Sequence, residues 1–296
     1  MKKKKHSLTF AVVGAGMVGT AIGFLLEKAG HNVAAIADLS AAHLKRATSY
    51  LRVPGFHHPA QAAARADCIL ITTPDDRIAS VCGEIAAAPG IQGKKVFHMS
   101  GAGGLDLLAA AARAGALTAS IHPLQSFSSI DGAIASIPGS YFGVTADAGV
   151  KRLAADIVRD LRGIPIPISA QQKPLYHAAA CIASNYLVSL MSVVESIYLS
   201  IGFSEKDARR AYLPLVYGSL KNIENQGCPN ALTGPIARGD SGTVQKHIDA
   251  MARHLPDFAS MYAHMGAIAV KLAREKGTLS AAQAKEILEM LKGAKS

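Results

Sequence analysis

Thr9-Phe10-Ala11-Val12-Val13-Gly14-Ala15-Gly16-Met17-Val18-Gly19 is the stretch whose reading decides the fold. Thr9 to Val13 is a short apolar run of the kind that forms a buried strand. Gly14, Gly16 and Gly19 then make a G-x-G-x-x-G turn. In such a turn the first glycine allows a tight strand-to-helix corner, the second lets backbone approach a pyrophosphate, and the third lets the helix pack closely on the sheet. Thr20 to Ala29 continues with helical spacing, Gly30-His31-Asn32 stops it, and Val33 to Ala37 reads as a second strand. Asp38 follows at that strand's carboxyl end, about twenty residues beyond the glycines, where a carboxylate accepts bonds from the adenosine ribose hydroxyls. The helix start adds free N–H groups and a partial positive charge for phosphates. The stretch predicts a dinucleotide site made by Gly14, Ala15, Gly16, Met17, Val18, Gly19 and Asp38. A carboxylate at Asp38 would repel a 2′-phosphate, which favours NAD over NADP, with NADP still possible. Lys45 and Arg46 lie in the helix that Ser40 caps and are expected to face solvent.

Outward from this stretch the chain keeps alternating. Helices are expected at 41–51, 59–66, 78–88, 105–114 and 150–161. Strands are expected at 68–73, 95–98, 117–121, 141–144 and 164–168. This pattern argues a Rossmann-like, doubly wound and largely parallel sheet of the α/β class. Thr73 and Pro74 end a strand at the carboxyl edge beside the glycine turn, where ligands bind. Pro165 and Pro167 suit an edge strand. Strand signals cease near Ser169, so the domains are expected at 1–168, binding the dinucleotide, and 169–296, all-helical, binding substrate and pairing with a second copy. In the helical part a single helix is expected from Gln171 to Ile201 and a kink or break at Pro214. A loop is expected within 222–240, with Asp240 capping the helix after it. Ser280-Ala281-Ala282-Gln283 is a capping box for the last helix.

The 296 residues suffice for two cores, and half of them are hydrophobic. The formal charge of +10 includes Lys2 to Lys5, expected as a solvated tail. No basic stripe with interleaved aromatics is present, so no nucleic-acid partner is expected. A positive field favours an anionic cofactor and a small anionic substrate. The first apolar run is strand and helix rather than a secretory signal. No uninterrupted apolar stretch reaches the roughly 20 residues of a membrane span. Cys68, Cys82, Cys181 and Cys228 are scattered, indicating neither a metal site nor a disulfide framework and suggesting a cytoplasmic location.

Hydride transfer needs a dry pocket and a proton donor or acceptor for the carbonyl oxygen. His122, on a Pro-fixed turn at a strand end, is one candidate, with Ser100 on the neighbouring loop; it could equally cap backbone groups. The other is the long helix, where His177, Cys181 and Asn185 recur every four residues beside Ser184. This stripe either serves substrate near His122, facing the cofactor across a domain cleft, or forms a polar seam in a bundle. Tyr176 and Lys173 are further candidates. Arg238 and Asp240, between glycines, either close over a substrate or cap and salt-bridge. Ile182, Tyr186, Leu187, Leu190, Val193, Val194 and Ile197 make an apolar stripe wider than one neighbouring helix needs, so the long helix is expected to be buried on several sides in a homodimer.

Together, Val13 to Gly19, the His122-Pro123-Leu124-Gln125-Ser126-Phe127 turn, Tyr176-His177-Ala178-Ala179-Ala180 with Ala183-Ser184-Asn185, and Leu232 to Asp240 carry a resemblance over nearly the whole chain. The chain resembles bacterial proteins that join a Rossmann-like domain to an all-helical domain of unassigned function. These are relatives of the 6-phosphogluconate, 3-hydroxyacid, ketopantoate and pyrroline-carboxylate reductase superfamily. The resemblance implies NAD(P)-dependent oxidoreduction and a dimer through the helical domains. Ketopantoate, reduced to pantoate, is the best single expectation for the substrate. Usual ketopantoate reductases carry a lysine followed by asparagines four and eight residues on; here those positions hold His177, Cys181 and Asn185. His122-Pro123 and Ser100 are also similar to prephenate dehydrogenases, although matching arginine sites for two carboxylates are not evident. A non-catalytic NAD(P) sensor is the remaining reading.

Overall fold

The computed structural model describes residues 7–293; the lysine run Lys2 to Lys5 lies outside them. Eight strands form one sheet: β1 (Thr9–Val13), β2 (Asn32–Ala37), β3 (Gly55–Phe56), β4 (Cys68–Ile71), β5 (Lys95–His98), β6 (Leu117–Pro123), β7 (Tyr141–Ala146) and β8 (Ile164–Pro167). Their order is β3-β2-β1-β4-β5-β6-β7-β8. All neighbours run parallel except β6 and β7. This is the doubly wound α/β arrangement that the alternation implies. The proline-bearing β8 lies at an edge, where missing N–H donors cost no ladder bond.

The central strands are apolar without alternation because both faces are covered. One face carries Phe10, Val12, Leu70, Phe97 and Ile121 under α1 (Met17–Lys28) and α7 (Lys151–Asp160). The other carries Val13, Ile69, Ile71 and Val96 under α3 (Pro59–Ala63), α4 (Asp75–Ala87) and α5 (Ala109–Arg113). Each such fully buried side chain contributes about 1.5–3 kcal/mol. Helix α2 (Ala41–Leu51) starts at Ser40, whose hydroxyl accepts from His43 N–H. Lys45 and Arg46 on it are exposed. The segment 105–114 is not one α-helix: Leu105–Leu108 is a 3₁₀ turn before α5. A short helix, α6 (Ile130–Ser136), joins β6 to β7 and was not evident in the sequence.

By their contacts the residues form two compact units, Met1–Asn185 and Tyr186–Ser296. Strand signals end near Ser169, but the first helix beyond them, α8 (Lys173–Cys181), still belongs to the first unit because it buries Lys173 there. The expected single long helix departs from α geometry: a π segment, Ile182–Tyr186, separates α8 from α9 (Leu187–Ser200). A π turn holds an extra residue. The four-residue spacing that aligned Asn185 with His177 and Cys181 therefore no longer applies beyond Cys181. Lys173–Ser200 as a whole is long and apolar enough to cross a membrane by length and composition. The buried ammonium of Lys173 and the half-buried His177 instead place its first part in the α/β unit.

The second unit contains α9, α10 (Glu205–Ala231), α11 (Pro235–Arg238), α12 (Ser241–His254), α13 (Pro256–Lys276) and α14 (Ala281–Gly293). Its core is built on Ile236, Val244, Ile248, Val270, Ile287 and Leu291. The break expected at Pro214 falls instead at Gly227, the residue of α10 with non-helical torsions (φ 75, ψ 166). A glycine takes positive φ at no steric cost. The loop expected from Asn222 is accordingly helical as far as Ala231. Asp240 caps α12 through Thr243 N–H at 3.0 Å, and Ser280 with Gln283 forms the reciprocal capping box.

Candidate active site

The carboxyl ends of β1, β2 and β4 surround a cavity of about 440 Å³. Its wall includes Gly14, Gly16, Met17, Val18, Asp38, Thr73 and Pro74, seven of the nine residues expected to bind a dinucleotide. The other two are structural: Ala15 is fully buried, and Gly19 sits where a Cβ would strike Gly14 O and Thr72 Oγ1. Gly14 adopts φ 110, and a Cβ there would lie 2.7 Å from Thr72 backbone. Thr72 Oγ1 donates to Gly14 O at 2.7 Å, tying the glycine turn to the end of β4. Above Gly16 a Cβ would meet nothing within 4 Å. Thr73 Oγ1 is buried without a hydrogen-bond partner. A buried hydroxyl left unpaired is costly, so an orphan on this wall fits a ligand rich in oxygen. Open space over Gly16 at a helix start fits a pyrophosphate.

Asp38 differs in one respect from its expected role. Its Oδ2 accepts the Ala15 N–H at 2.8 Å, and its Oδ1 accepts the Ser40 N–H at 2.8 Å. His43 Nδ1 stands 3.4 Å from the same carboxylate. Asp38 thus fixes the glycine turn as well as facing the cavity. His43, His57 and Arg77 also line the wall. None was expected, because nothing in the spacing of isolated basic residues marks them.

Along the same sheet edge, β5 and β6 meet α8 in a second cluster. His98 Nε2 donates to Gly104 O at 3.0 Å, while its Nδ1 accepts Ser100 N–H at 3.1 Å, which fixes its tautomer. Ser100 Oγ donates to Asp75 Oδ2 at 2.6 Å and accepts Gly103 N–H at 2.8 Å. Ser100 is only 3% exposed; its hydroxyl is committed to shaping the 100–104 loop. Lys173 Nζ donates to Ser100 O at 3.0 Å and to Ser120 Oγ at 2.7 Å. Burial lowers its pKa from 10.5 to about 8, against the opposing pull of Asp75.

His122 on β6 pairs with Gly143 of β7. Tyr176 packs over this pair because Gly143 has no side chain; a Cβ there would lie 2.9 Å from the phenol oxygen. Tyr176 Oη is 3.0 Å from His122 Nδ1. A backbone bond from Gly143 also reaches the phenol, whose pKa burial raises. When the phenol donates to Nδ1, the imidazole carries its own proton on Nε2. Burial, seconded by Lys173 and His177, lowers the His122 pKa to about 4, so the ring is neutral at physiological pH. His177 stands edge-on, ring centroids 5.8 Å apart. Both rings close over Gly101: a Cβ there would overlap His177 Cδ2 and lie 2.7 Å from His122 Nε2. Cys181 Sγ is 3.7 Å from His177 Nδ1. A neutral imidazole N–H donor is suited to polarising a carbonyl.

Of the residues the sequence singled out for catalysis, His122 and His177 thus come together, joined by Tyr176. Ser100 supports them through its backbone, and Asn185 lies exposed on the π segment. In the second unit Asp240 is engaged as a helix cap and Arg238 is exposed. Gly101 was missed; a glycine serving as floor to two imidazoles leaves no local signature.

The Lys173 geometry makes one expectation of stability against pH. The folded chain holds this proton less tightly than the unfolded chain. The stability it contributes is therefore present above pH 10.5 and lost as pH falls through about 8. Across that window urea denaturation of the wild type should gain at most about 3 kcal/mol relative to Lys173→Met. Parallel curves for the two proteins would show that the ammonium is not desolvated.

The fold and cluster define a class: a Rossmann-like sheet with its ligand edge intact, continued by a helical domain. Two family models match, the second reaching from β7 of the sheet into the helical unit. Residues 2–123 match the Rossmann-like domain family, and residues 140–269 match a domain of unknown function, DUF2520. The chain is a Rossmann-like protein with a DUF2520 helical region. Among solved structures it is similar to protein TM1727 from Thermotoga maritima, with 22% identity over 90% of this chain and 99% of that one, TM-score 0.72. A protein named as a candidate NADP oxidoreductase, BF3122 from Bacteroides fragilis, gives 15% identity over 91% and 98%, TM-score 0.70. The pyrroline carboxylate reductase of Plasmodium falciparum, solved with NADP bound, gives 14% over 94% and 98%, TM-score 0.59. No curated protein matches the sequence.

Proposed function

We propose that this protein is an NAD(P)-dependent oxidoreductase that reduces the carbonyl of a small 2-oxo acid, with NADH preferred and ketopantoate the first substrate to try. The observation that carries the reading is His122, an imidazole that burial keeps neutral, held 3.0 Å from Tyr176 Oη on the same sheet edge as the glycine turn. The similarity to an NADP-binding reductase and to a candidate NADP oxidoreductase supports the cofactor class. Gly14, Gly16, Met17, Val18, Thr73 and Pro74 would hold the dinucleotide, with Asp38 at the adenosine ribose. When bound, the nicotinamide supplies a hydride. His122 Nε2–H bonds the carbonyl oxygen and gives it a proton as negative charge develops there. Tyr176 passes its proton to Nδ1 and takes one back from solvent before the next turnover. A prephenate-like oxidation asks for cationic groups opposite His122, and the neighbouring Lys173 is turned inward onto Ser100 and Ser120.

The test is steady-state oxidation of NADH and NADPH by purified protein with a panel of 2-oxo acids. Tight nucleotide binding with no turnover on any of them would replace the enzyme with a nucleotide sensor. The cytoplasm is the proposed place of action.

We further propose a homodimer. On the long helix Leu175, Ile182, Tyr186 and Val188 are 80, 59, 64 and 69% exposed in the single chain. Of the expected stripe, Ile182 and Tyr186 are exposed, Leu187, Leu190, Val194 and Ile197 are half-buried and Val193 is buried; a second copy would cover the apolar face that Leu175, Ile182, Tyr186 and Val188 leave open. Sedimentation at micromolar concentration should give twice the chain mass. A monomer would refute the assembly.

A further inference from the structure

Among the described residues Lys173 is the only lysine or arginine that is buried, at 1% exposed. Taking a charge out of water is costly unless an opposite charge pairs with it. Among the described residues no carboxylate stands within ion-pair distance of its Nζ. Asp75, the carboxylate whose field reaches it, accepts the Ser100 hydroxyl. Both acceptors of the ammonium are neutral: Ser100 O at 3.0 Å and Ser120 Oγ at 2.7 Å. A methionine would fill similar space without the desolvation cost, so packing does not call for a lysine here.

The two acceptors lie where His122 is held. Ser100 O belongs to the peptide that enters Gly101, the residue over which the His122 and His177 rings close. Ser120 stands two residues before His122 on β6, hence on the same face. Its Oγ also donates to Ser100 O, at 3.2 Å. On α8, Lys173, Tyr176 and His177 follow the i, i+3, i+4 spacing that puts side chains on one face. Tyr176 Oη reaches His122 Nδ1 at 3.0 Å, and the His177 ring stands edge-on to the His122 ring. One ammonium thus ties together the loop after β5, the strand β6 and the helix α8, the three elements that surround the imidazole.

We propose that Lys173 is a positioning residue for His122: by pinning the first turn of α8 to Ser100 and Ser120 it holds the Tyr176 hydroxyl on Nδ1 and Gly101 beneath the ring, and so keeps the ring proton on Nε2. This rests on the reading of His122 as proton donor. Lys173 acts through the ring alone, because its hydrogen bonds turn inward onto Ser100 and Ser120. Burial, and after it the Lys173 charge, disfavours a second proton on His122, so the charge supports what the hydrogen bonds arrange.

The experiment follows the His122 ring by long-range nitrogen–proton NMR correlations in wild type, Lys173→Met and Ser120→Ala at neutral pH, with NADH affinity and steady-state kinetics on the 2-oxo acid panel alongside. Lys173→Met removes a buried charge and should fold at least as stably as wild type near pH 7. Its ring should show a mixture of tautomers where the wild type shows Nε2 alone. Its kcat should fall about tenfold to a hundredfold, the scale of a small misplacement of a reacting group, with KM and NADH affinity unchanged. Ser120→Ala keeps the ammonium and its bond to Ser100 and removes one strut, so its ring should shift in the same direction by less. It also carries the test should Lys173→Met fail to fold. A His122 ring identical to wild type in the variants that fold makes the ammonium a merely structural group and overturns the positioning role. A wild-type ring without its proton on Nε2 overturns the reading of His122 beneath it.

Discussion

Replacing Gly16 by Ala should weaken NADH binding about a hundredfold and leave the fold intact, whereas replacing Gly19 by Ala should damage both. The two glycines belong to one motif and are distinguished by what surrounds them. At Gly16 the backbone is extended with φ −72, a conformation any residue adopts, and a Cβ meets nothing within 4 Å. The change costs the helix cap within about 1 kcal/mol. The space a methyl would fill is the space left for the pyrophosphate, so affinity should fall by about a hundredfold, the loss of roughly 2.7 kcal/mol of contact. At Gly19 a Cβ would collide with Gly14 O and Thr72 Oγ1 and lie 3.0 Å from Val12 Cγ1. Alanine is the better helix former by about 1 kcal/mol, but overpacking against backbone costs about 1–3 kcal/mol, and the collision wins. Thermal unfolding with and without NADH separates the cases. A Gly16→Ala protein whose midpoint still rises on adding NADH would remove the cavity from the cofactor site.

The central sheet was legible in the sequence because β1, β2 and β4 are short, largely apolar runs closed by Gly14, Asp38 and Pro74. Asp38 and Thr73 were found by position alone, since a strand's carboxyl end is fixed once the strand is recognised. What escaped were properties of three-dimensional approach. Gly101 matters because rings from β6 and α8 close over it. His43 reaches the Asp38 carboxylate because it lies on the first turn of α2. Lys173 reads in the sequence as a polar residue on a helix, but its burial depends on Ser100 O, just past β5, and Ser120 Oγ, in the middle of β6. The break in α10 was placed at Pro214 on propensity. It falls at Gly227, where positive φ turns the chain. Four-residue periodicity grouped Asn185 with His177, and the π segment at Ile182–Tyr186 removes the α geometry on which that grouping rested.

The second large effect is expected at His122. If its Nε2–H is the proton donor, His122→Phe should lower turnover about 10²- to 10⁴-fold, the range for a positioned general acid, and leave NADH affinity unchanged. Phenylalanine retains the apolar ring contact with Tyr176 and His177 while removing both nitrogens, so lost packing does not account for the loss. Tyr176→Phe should act through the tautomer. It deletes the hydroxyl 3.0 Å from Nδ1 and leaves His122 free to carry its proton on either nitrogen. Long-range nitrogen–proton NMR correlations read this directly, without a substrate: wild type should show a neutral His122 protonated at Nε2, and Tyr176→Phe a mixture. The low pKa sets the sign of the pH effects. His122 is neutral above its folded value of about 4 and would charge near 6.5 when unfolded. The stability it contributes is therefore full above pH 6.5 and is lost as pH falls towards 4. Because its folded titration lies near 4, His122 alone gives a turnover profile that is flat from about pH 6 to 8. A wild-type imidazole that NMR finds protonated at Nδ1, or doubly protonated at neutral pH, would show that burial and Tyr176 do not hold the ring as a neutral donor and would take the proton-transfer role from His122.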